Sequence, residues 1–431
     1  MRTSQGITGF FAAAGWCVAT TQAQAPTAVA RPTSGAAARG GACPTVSLES
    51  RPVTLPNGRL VAPQRPSIAE FAGALVVASA PGYVARSAAD TLPERLPMLV
   101  MRVDGEGNGV LLDAPRTTGQ AIQPVPFTDG HGRLHLVWAE RAASVNPDAH
   151  AKALLHSVYD GARWSQVDTL VTGYAVDWGA VAKPVEDDAT SLKVFGVVVR
   201  NTRMVSTLHV FDWRDSVIRT SSMKLGRAPA GMALVRAGGQ TRLVAAWVSP
   251  DSRQVSDNSS LFVAASNDNG KSWTTPHRAR LGGATGVGEP VLVLGSGREL
   301  TAFWRQPLES ARARDALWAS RSTDDGMSWS EPEHTPSEAH IAFLAMLQMA
   351  LLRNGTPLIA FAQGPDHPIG LAMWLPTGWC PIHDSGLPLS SVAAMTSVRG
   401  EPTIAWLVGR ERDGREAFPQ FQLGRLRIRS K

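Results

Sequence analysis

Two segments of this chain, Ser266–Trp273 (SNDNGKSW) and Ser322–Trp329 (STDDGMSW), share the pattern S-x-D-x-G-x-x-W. Their tryptophans are 56 residues apart, and each segment follows a short apolar run. The pattern is typical of a tight β-hairpin turn, because the aspartate accepts hydrogen bonds from turn amides and the glycine supplies a positive φ angle. We expect the tryptophan to leave the turn and pack between sheets. The two segments therefore predict a repeated all-β architecture.

Four positions carry these roles in each copy, and a weaker copy, YDGARW, spans 159–164. The predicted turn residues are Ser266, Asp268, Gly270 and Trp273 in the first copy, and Ser322, Asp324, Gly326 and Trp329 in the second.

A second periodic feature is a short apolar strand that follows a glycine-containing turn. Its best copies end at Trp247, Trp304 and Phe361, and each step between them is 57 residues. The full series covers 74–78, 134–138, 194–199, 243–247, 300–304, 358–361 and 403–406. A period near 50 residues with short strands and glycine-rich turns is typical of β-propeller blades, each a four-stranded antiparallel sheet.

The number of blades is left open by the two repeats. Full hairpins with the turn pattern account for six units, whereas the apolar strands form seven. The last unit, Ser390 to Arg429, has three strands, and its fourth strand could come from the N-terminal segment around Val53 to Leu60. We favour seven blades in a ring closed by this N-terminal strand, since closure removes exposed sheet edges. Six blades are the alternative.

The S-x-D-x-G-x-x-W segments resemble the Asp box, or BNR repeat, of the sialidase (neuraminidase) superfamily. In that superfamily the motif is a structural signature of β-propellers and does not form the catalytic site. The resemblance covers the chain from about residue 66 to its end. The F/Y-R-I-P element of the family is absent, and 65–68 (RPSI) is the nearest segment.

The resemblance also implies what a sialidase site would require. Three arginines bind the sugar carboxylate, a Tyr–Glu pair acts as nucleophile, and an aspartate is the general acid/base. The arginine candidates are Arg141, Arg200 and Arg305, each of which follows the core strand of its own blade. The candidates for catalysis are Tyr174, Asp177 and Glu289.

These candidates fall in loops that a propeller places on one face, opposite the predicted turns. The loops carry arginines, carboxylates and a few aromatic residues, a composition suited to a glycan or another polar or anionic ligand. Our leading hypothesis is a propeller that binds such a ligand without an identifiable catalytic apparatus. The alternatives are a divergent glycoside hydrolase of exo-sialidase type and a scaffold that binds protein partners.

Charge and motifs exclude several other functions. The formal net charge of +6 is mild for 431 residues, and the arginines are scattered, which argues against a nucleic-acid interface. The sequence contains no nucleotide-binding loop, serine-hydrolase elbow or zinc-protease motif, and we expect no cofactor. His131 and His135 have no third ligand nearby, so we predict no metal site.

The N-terminus is typical of an export signal. Arg2, an apolar stretch from Phe10 to Ala19 and an A-x-A sequence at 23–25 predict a signal peptide over 1–25. A flexible linker would follow over 26–42, and a single propeller domain over 43–431. No later segment is apolar enough for a membrane span. The protein is expected in the periplasm or outside the cell.

Removal of this leader leaves two cysteines, Cys43 and Cys380. An even pair in an oxidising compartment favours a disulfide, with two unpaired buried thiols as the alternative.

Overall fold

In the described part of the chain, short apolar runs separated by glycine-containing turns form 31 β-strands. The computed structural model describes residues 43–54, 59–61, 66–80, 83–85, 98–129, 131–141, 153–172, 175–176, 185–186, 193–200, 206–214, 217–226, 231–236, 242–250, 259–279, 291–294, 299–307, 315–324, 326–336, 347–361, 363, 368–382, 386–387, 392–412 and 415–429. They all belong to one unit, Ala38–Lys431.

The first seven strands of the chain belong to three different sheets. They are β1 (Thr45–Pro52), β2 (Arg59–Val61), β3 (Ser67–Phe71), β4 (Ala74–Ser79), β5 (Tyr83–Ala85), β6 (Leu99–Val103) and β7 (Gly109–Leu112). Sheet A has the order β3-β4-β6-β7, while β2 and β5 form a separate two-stranded sheet.

Sheets B, C and D follow in chain order. Sheet B contains β8 (Gln120–Thr128), β9 (Leu134–Arg141), β10 (Ala153–Tyr159) and β11 (Asp168–Thr172). Sheet C contains β12 (Ala175–Val176), β13 (Val185–Glu186), β14 (Lys193–Arg200), β15 (Ser206–Arg214) and β16 (Val217–Gly226). Sheet D contains β17 (Gly231–Arg236), β18 (Leu243–Pro250), β19 (Ser259–Ser266) and β20 (His277–Arg278).

Sheets E, F and G complete the chain. Sheet E contains β21 (Val291–Leu294), β22 (Leu300–Pro307), β23 (Asp315–Ser322) and β24 (Glu333–His334). Sheet F contains β25 (Gln348–Leu351), β26 (Pro357–Phe361), β27 (Gly370–Leu375) and β28 (Gly378–Ile382). Sheet G contains β29 (Val392–Val398), β30 (Glu401–Arg412) and β31 (Arg415–Arg429), together with β1 on its outer edge.

The protein is therefore an all-β propeller of four-stranded antiparallel blades, as the sequence predicts. Six blades, A to F, are each formed by one continuous stretch of chain, so the six-bladed alternative is correct and the favoured number of seven is wrong. The remaining unit, sheet G, is not a continuous blade, because it takes its fourth strand from the N-terminal region. Each predicted apolar segment lies in the second strand of its sheet.

The strand that completes sheet G is β1, not the segment around Val53 to Leu60. In β1, Val46 and Leu48 alternate with polar residues and pair with Ile428 and Leu426. That alternation matches a strand with one buried face. The segment 53–60 (VTLPNGRL) contains a proline, which lacks an amide donor, and an Asn-Gly pair that favours a turn.

Buried side chains of successive sheets meet in shared cores. Trp138 lies in the core between sheets A and B, Trp247 between C and D, and Trp304 between D and E. Sheets B and C share Phe127 and Phe211, sheets E and F share Phe303 and Trp374, and sheets F and G share Leu371 and Trp406. Phe421 of sheet G lies in one core with Leu75 and Met101 of sheet A.

The first octapeptide forms a hydrogen-bonded turn between β19 and β20. The Ser272 amide donates to Asp268 Oδ1 at 2.8 Å, and the Gly270 amide donates to Ser266 Oγ at 2.7 Å. Gly270 has a φ of +83°, and Trp273 Nε1 donates to its carbonyl oxygen at 2.9 Å.

The second octapeptide repeats this geometry between β23 and β24. The Ser328 amide donates to Asp324 Oδ1 at 2.8 Å, and Trp329 Nε1 donates to the Gly326 carbonyl oxygen at 3.0 Å. Gly326 has a φ of +89°, and its amide donates to Ser322 Oγ at 2.7 Å.

Both turns pack against the preceding sheet. A Cβ built on Gly270 would lie 3.0 Å from Val210 in β15, and one on Gly326 would lie 3.0 Å from Val263 in β19. Trp273 packs against the core between sheets C and D, and Trp329 against that between D and E. The indoles thus lie between sheets.

The N-terminal segment is also linked covalently to sheet F. Cys43 and Cys380 form a disulfide with a Cα–Cα distance of 5.7 Å, joining the residues just before β1 to β28. Beyond β1, the Thr54 amide donates to the Gly107 carbonyl oxygen and the Gly109 amide to that of Thr54. These contacts connect sheets F, G and A.

Candidate functional site

The loop end of sheet B brings together two polar residues of β9 and the chain that enters β8. Arg141 pairs with Gln120 in the strand register. Its Nε donates to Gln120 Oε1 at 2.8 Å, which orients the half-buried guanidinium group. The neighbouring Glu140 points to the opposite face of the sheet, because successive side chains alternate along a strand.

Glu140 is a buried carboxylate, with a relative exposure of 8 %. Thr118 Oγ1 donates to its Oε1 at 2.6 Å, whereas Oε2 is buried and has no hydrogen-bond partner among the described residues. Gly119 makes this arrangement possible, because a Cβ there would lie 3.0 Å from Glu140 Cγ and would collide with the Arg141 carbonyl oxygen. A buried carboxylate oxygen without a donor is costly, which makes Glu140 a candidate for a role beyond packing.

Sheet E has a related constellation at the same end. Trp304 Nε1 donates to Gln306 Oε1 at 3.0 Å, and Trp318 Nε1 lies 3.4 Å from the Gln306 carbonyl oxygen. The two indole rings stack with centroids 6.5 Å apart. Arg305 is half-buried and points to the other face of β22.

The three predicted ligand-binding arginines belong to the strands instead of following them. Arg141 and Arg200 end β9 and β14, and Arg305 lies within β22. Arg141 lies three residues after Trp138, but Arg305 directly follows Trp304. When the two tryptophans are aligned, Arg141 therefore lies two residues, about 7 Å, further along its strand than Arg305. Sheets B and E are also not neighbours in the blade order. Only the backbone of Arg200 is described.

The predicted catalytic candidates Tyr174, Asp177 and Glu289 lie outside the described residues. Glu140 was not singled out in the sequence, because it occurs among several charged residues of one loop-proximal segment. The one available signal was its position two residues after a core tryptophan, which places it on the buried face of the strand.

A second polar cluster is buried at the opposite end of sheet B. His135 Nε2 lies 3.3 Å from Asp129 Oδ2, and His135 Nδ1 lies 3.0 Å from His156 Nε2. Both imidazole rings are fully buried, and His135 stacks on Phe127 with centroids 4.8 Å apart. The structure thus pairs His135 with His156, not with His131, which lies in the turn and is exposed.

The surroundings set the charge states of this cluster. Burial raises the pKa of Asp129, but hydrogen bonds from His135 and Arg133 outweigh burial, and the pKa lies well below its usual range. Burial, together with the nearby His135, lowers the pKa of His156 to about 3. Asp129 is therefore ionised and His156 neutral near pH 7.

Neither a metal-binding cluster nor a membrane-spanning helix occurs in the described part of the chain. It contains no group of three or more His, Cys, Asp or Glu side chains placed to hold a metal ion. It also contains no helix with the length and apolar character needed to cross a bilayer.

No protein-family model and no curated protein matches this chain. Among solved structures, an ulvan lyase described as a polysaccharide lyase has a TM-score of 0.52 at 11 % identity, covering 86 % of this chain and 95 % of that one. A Fusarium graminearum α-L-arabinofuranosidase (TM-score 0.46, 12 % identity) covers 72 % and 95 %. A Trypanosoma rangeli sialidase (TM-score 0.45, 12 % identity) covers 76 % and 56 %. At 11 % identity the likeness to the ulvan lyase shows the fold alone.

Proposed function

We propose that this protein binds a glycan, or another polar and anionic ligand, at the loop ends of its second strands. The supporting observation is Arg141 in sheet B, whose guanidinium group is oriented by Gln120 before any ligand arrives. Glu140, on the buried face of the strand, accepts a hydrogen bond from Thr118 and so fixes the same segment of chain. A guanidinium group binds carboxylate or sulfate oxygens with paired hydrogen bonds. The net charge of +6 favours an anionic partner.

Glycoside hydrolysis is the second candidate function. It requires two carboxyl groups about 5 Å apart in retaining enzymes or about 6.5–9.5 Å apart in inverting ones. Asp177 and Glu289 would supply these carboxylates, with Tyr174 as the nucleophile of a sialidase-like site. The two S-x-D-x-G-x-x-W turns support membership of the sialidase superfamily, where Arg141, Arg200 and Arg305 would bind the substrate.

The protein-scaffold alternative has less support. It requires an exposed apolar patch. The large exposed apolar side chains among the described residues are Val110, Leu111, Met327 and Leu351, and of these only the first two are adjacent.

Two structural proposals accompany the function. We infer that sheet G closes the ring between sheets F and A, because it shares cores with both. We also propose export of the protein after cleavage of 1–25. The Cys43–Cys380 disulfide supports an oxidising compartment. N-terminal sequencing of the protein recovered outside the cytoplasm tests this point, and an uncleaved chain kept inside the cell contradicts it.

Calorimetric titration with hexagalacturonate, an acidic oligosaccharide, tests binding. Cellohexaose, an uncharged oligosaccharide of the same number of sugar units, is the control ligand. We expect Arg141→Gln to weaken the loop-face binding event about tenfold, the effect of one charge-assisted hydrogen bond. Arg353→Gln is the control, since Arg353 is highly exposed in the turn between β25 and β26. Equal binding by the wild type and Arg141→Gln contradicts the proposal.

Turnover of chromogenic glycosides or sialosides that is abolished by Asp177→Ala or Glu289→Ala establishes the hydrolase instead.

A further inference from the structure

A concave surface lies between sheets A and B, and its lining does not include Glu140 or Arg141. It has a volume of about 590 Å³, within the range of small-ligand sites. One wall is the end of β7 and the connection to sheet B. The other wall is the turn between β10 and β11. We call this surface the lateral groove and define it by Asp113, Arg116, Tyr159, Arg163, Trp164 and Gln166.

The turn at this groove is a shortened version of the octapeptide turn. Asp160 Oδ1 accepts hydrogen bonds from the amides of Ala162 and Arg163 at 2.8 and 2.9 Å. Gly161 has a φ of +108°. Trp164 follows the aspartate by four residues, whereas Trp273 follows Asp268 by five.

The missing residue changes what the tryptophan does. In the two complete turns, the indole Nε1 donates to the carbonyl oxygen of the turn glycine. Trp164 Nε1 has no acceptor among the described residues. Its ring instead tilts against Tyr159, with centroids 5.2 Å apart, and both half-buried rings line the groove. This hairpin therefore presents an aromatic surface to a ligand.

Two cations stand on opposite walls of the groove. Arg116 comes from the segment between sheets A and B, and Arg163 comes from the turn. Both side chains are exposed, and Arg116 has no hydrogen bond or ion pair within the described residues. An aromatic surface between two guanidinium groups matches a pyranose ring that carries a carboxylate or sulfate, because the ring packs on the indole while arginine binds the anion.

We propose that the lateral groove binds an acidic sugar unit of a glycan chain, at a site separate from the loop face. The proposal rests on the proposed function only for the class of ligand, since the groove is built from other residues in other strands. An extended acidic polysaccharide would contact the protein at both places. Two weak sites on one chain raise the overall affinity through effective concentration.

Photo-crosslinking distinguishes the two sites. Hexagalacturonate with a diazirine group at its reducing end is irradiated with the full protein, and crosslinked peptides are mapped by mass spectrometry. We expect labels in 111–116 and 159–167, reduced at least fivefold in the double variant Arg116→Gln/Arg163→Gln. Both arginines are exposed, so the variant should fold. The control Lys224→Gln/Lys271→Gln removes the same charge from sheets C and D, where both lysines are exposed.

The outcomes separate the two proposals. Labels in the groove without labels near 118–120 and 140–141 support the groove and overturn the loop-face site. Labels confined to the loop face overturn the groove. Groove labels that are unchanged in the arginine variant, or equal labels from a neutral cellohexaose probe, also overturn the proposal, because the site would then not recognise the anion.

Discussion

Glu140 and Gln306 occupy the same position in two blades, two residues after a buried tryptophan of the second strand. In sheet E the amide of Gln306 accepts a hydrogen bond from Trp304 Nε1 at 3.0 Å. In sheet B, Trp138 Nε1 and Glu140 Oε2 are both buried without a partner among the described residues. Sheet B therefore has a buried carboxylate at a position where sheet E has a hydrogen-bonded amide. A locally unfavourable group of this kind is expected at a functional site.

Replacing Glu140 by glutamine separates stability from function. We expect Glu140→Gln to raise the free energy of unfolding by about 1 kcal/mol, because a neutral amide costs less to bury than a carboxylate with a bare oxygen. The same change should weaken glycan binding at the loop face indirectly, because Glu140 holds Thr118 in the chain segment that carries Gln120, the partner of Arg141. Urea denaturation and calorimetric titration of one preparation measure both quantities.

The reciprocal variant Gln306→Glu is the matched control. It places a carboxylate at the equivalent site in sheet E and should lower stability by about 1–3 kcal/mol without an effect on ligand binding at sheet B. A Glu140→Gln variant that is less stable than the wild type and binds glycan normally would show that Glu140 is a structural residue.

The blades could be predicted from sequence because their determinants are local. A serine, an aspartate, a glycine and a tryptophan within eight residues close each octapeptide turn, so Ser266–Trp273 and Ser322–Trp329 contain nearly all the hydrogen bonds that define them. The partner of β31 could not be located with the same accuracy. It depends on which N-terminal segment presents an alternating face to Leu426 and Ile428, more than 370 residues away.

The site was less predictable because it depends on which sheet face each side chain occupies. Arg141 and Glu140 are adjacent in sequence yet point to opposite faces of the sheet. Relative to the core tryptophan of its strand, Arg141 lies two residues further along than Arg305. The pairing of His135 with His156 depends on the register between β9 and β10, which the sequence pattern does not specify.

Gly270 is required for two reasons that a pair of variants can separate. It has a φ of +83°, and a Cβ there would lie 3.0 Å from Val210 and 3.3 Å from Ser221 in sheet C. Gly132 has a φ of +74° with no atom within 4 Å of a built Cβ. Gly132→Ala should cost about 1 kcal/mol of unfolding free energy from backbone strain alone.

Gly270→Ala adds a steric conflict between sheets to the same strain. We expect it to cost about 2–4 kcal/mol. Thermal unfolding of both variants, followed by circular dichroism, gives the difference. Equal losses would mean that the turn between β19 and β20 does not pack tightly on sheet C.

The disulfide should contribute to stability through the length of chain that it closes. Cys43 and Cys380 are 337 residues apart in sequence. Removing the bond by Cys43→Ser should lower the free energy of unfolding by about 2–5 kcal/mol. Chemical denaturation under oxidising conditions measures the loss. Under reducing conditions the wild type and the variant should unfold alike, and a difference that persists there would assign the effect to the serine itself.

Acid should weaken sheet B through His156. Its pKa is about 3 in the folded protein, against about 6.5 in an unfolded chain. Between these values the unfolded state binds a proton that the native state does not, so stability rises with pH in this window. The contribution is fully present above pH 6.5 and is lost as the pH falls toward 3. We expect a loss of about 1–3 kcal/mol between pH 6.5 and pH 4.

His156→Gln isolates this effect, because the glutamine amide still donates toward His135 but does not titrate. The variant should be less dependent on pH between 6.5 and 4 than the wild type, when both are unfolded by urea at each pH. His131→Gln, in the exposed turn beside Asp129, should retain the wild-type slope.

Below pH 3.8 protonation of Asp129, whose native pKa is depressed, should destabilise all three proteins, since the stability from an ionised carboxylate is lost as it gains a proton. An identical slope for the wild type and His156→Gln would mean that the pKa of His156 is not lowered in the native state.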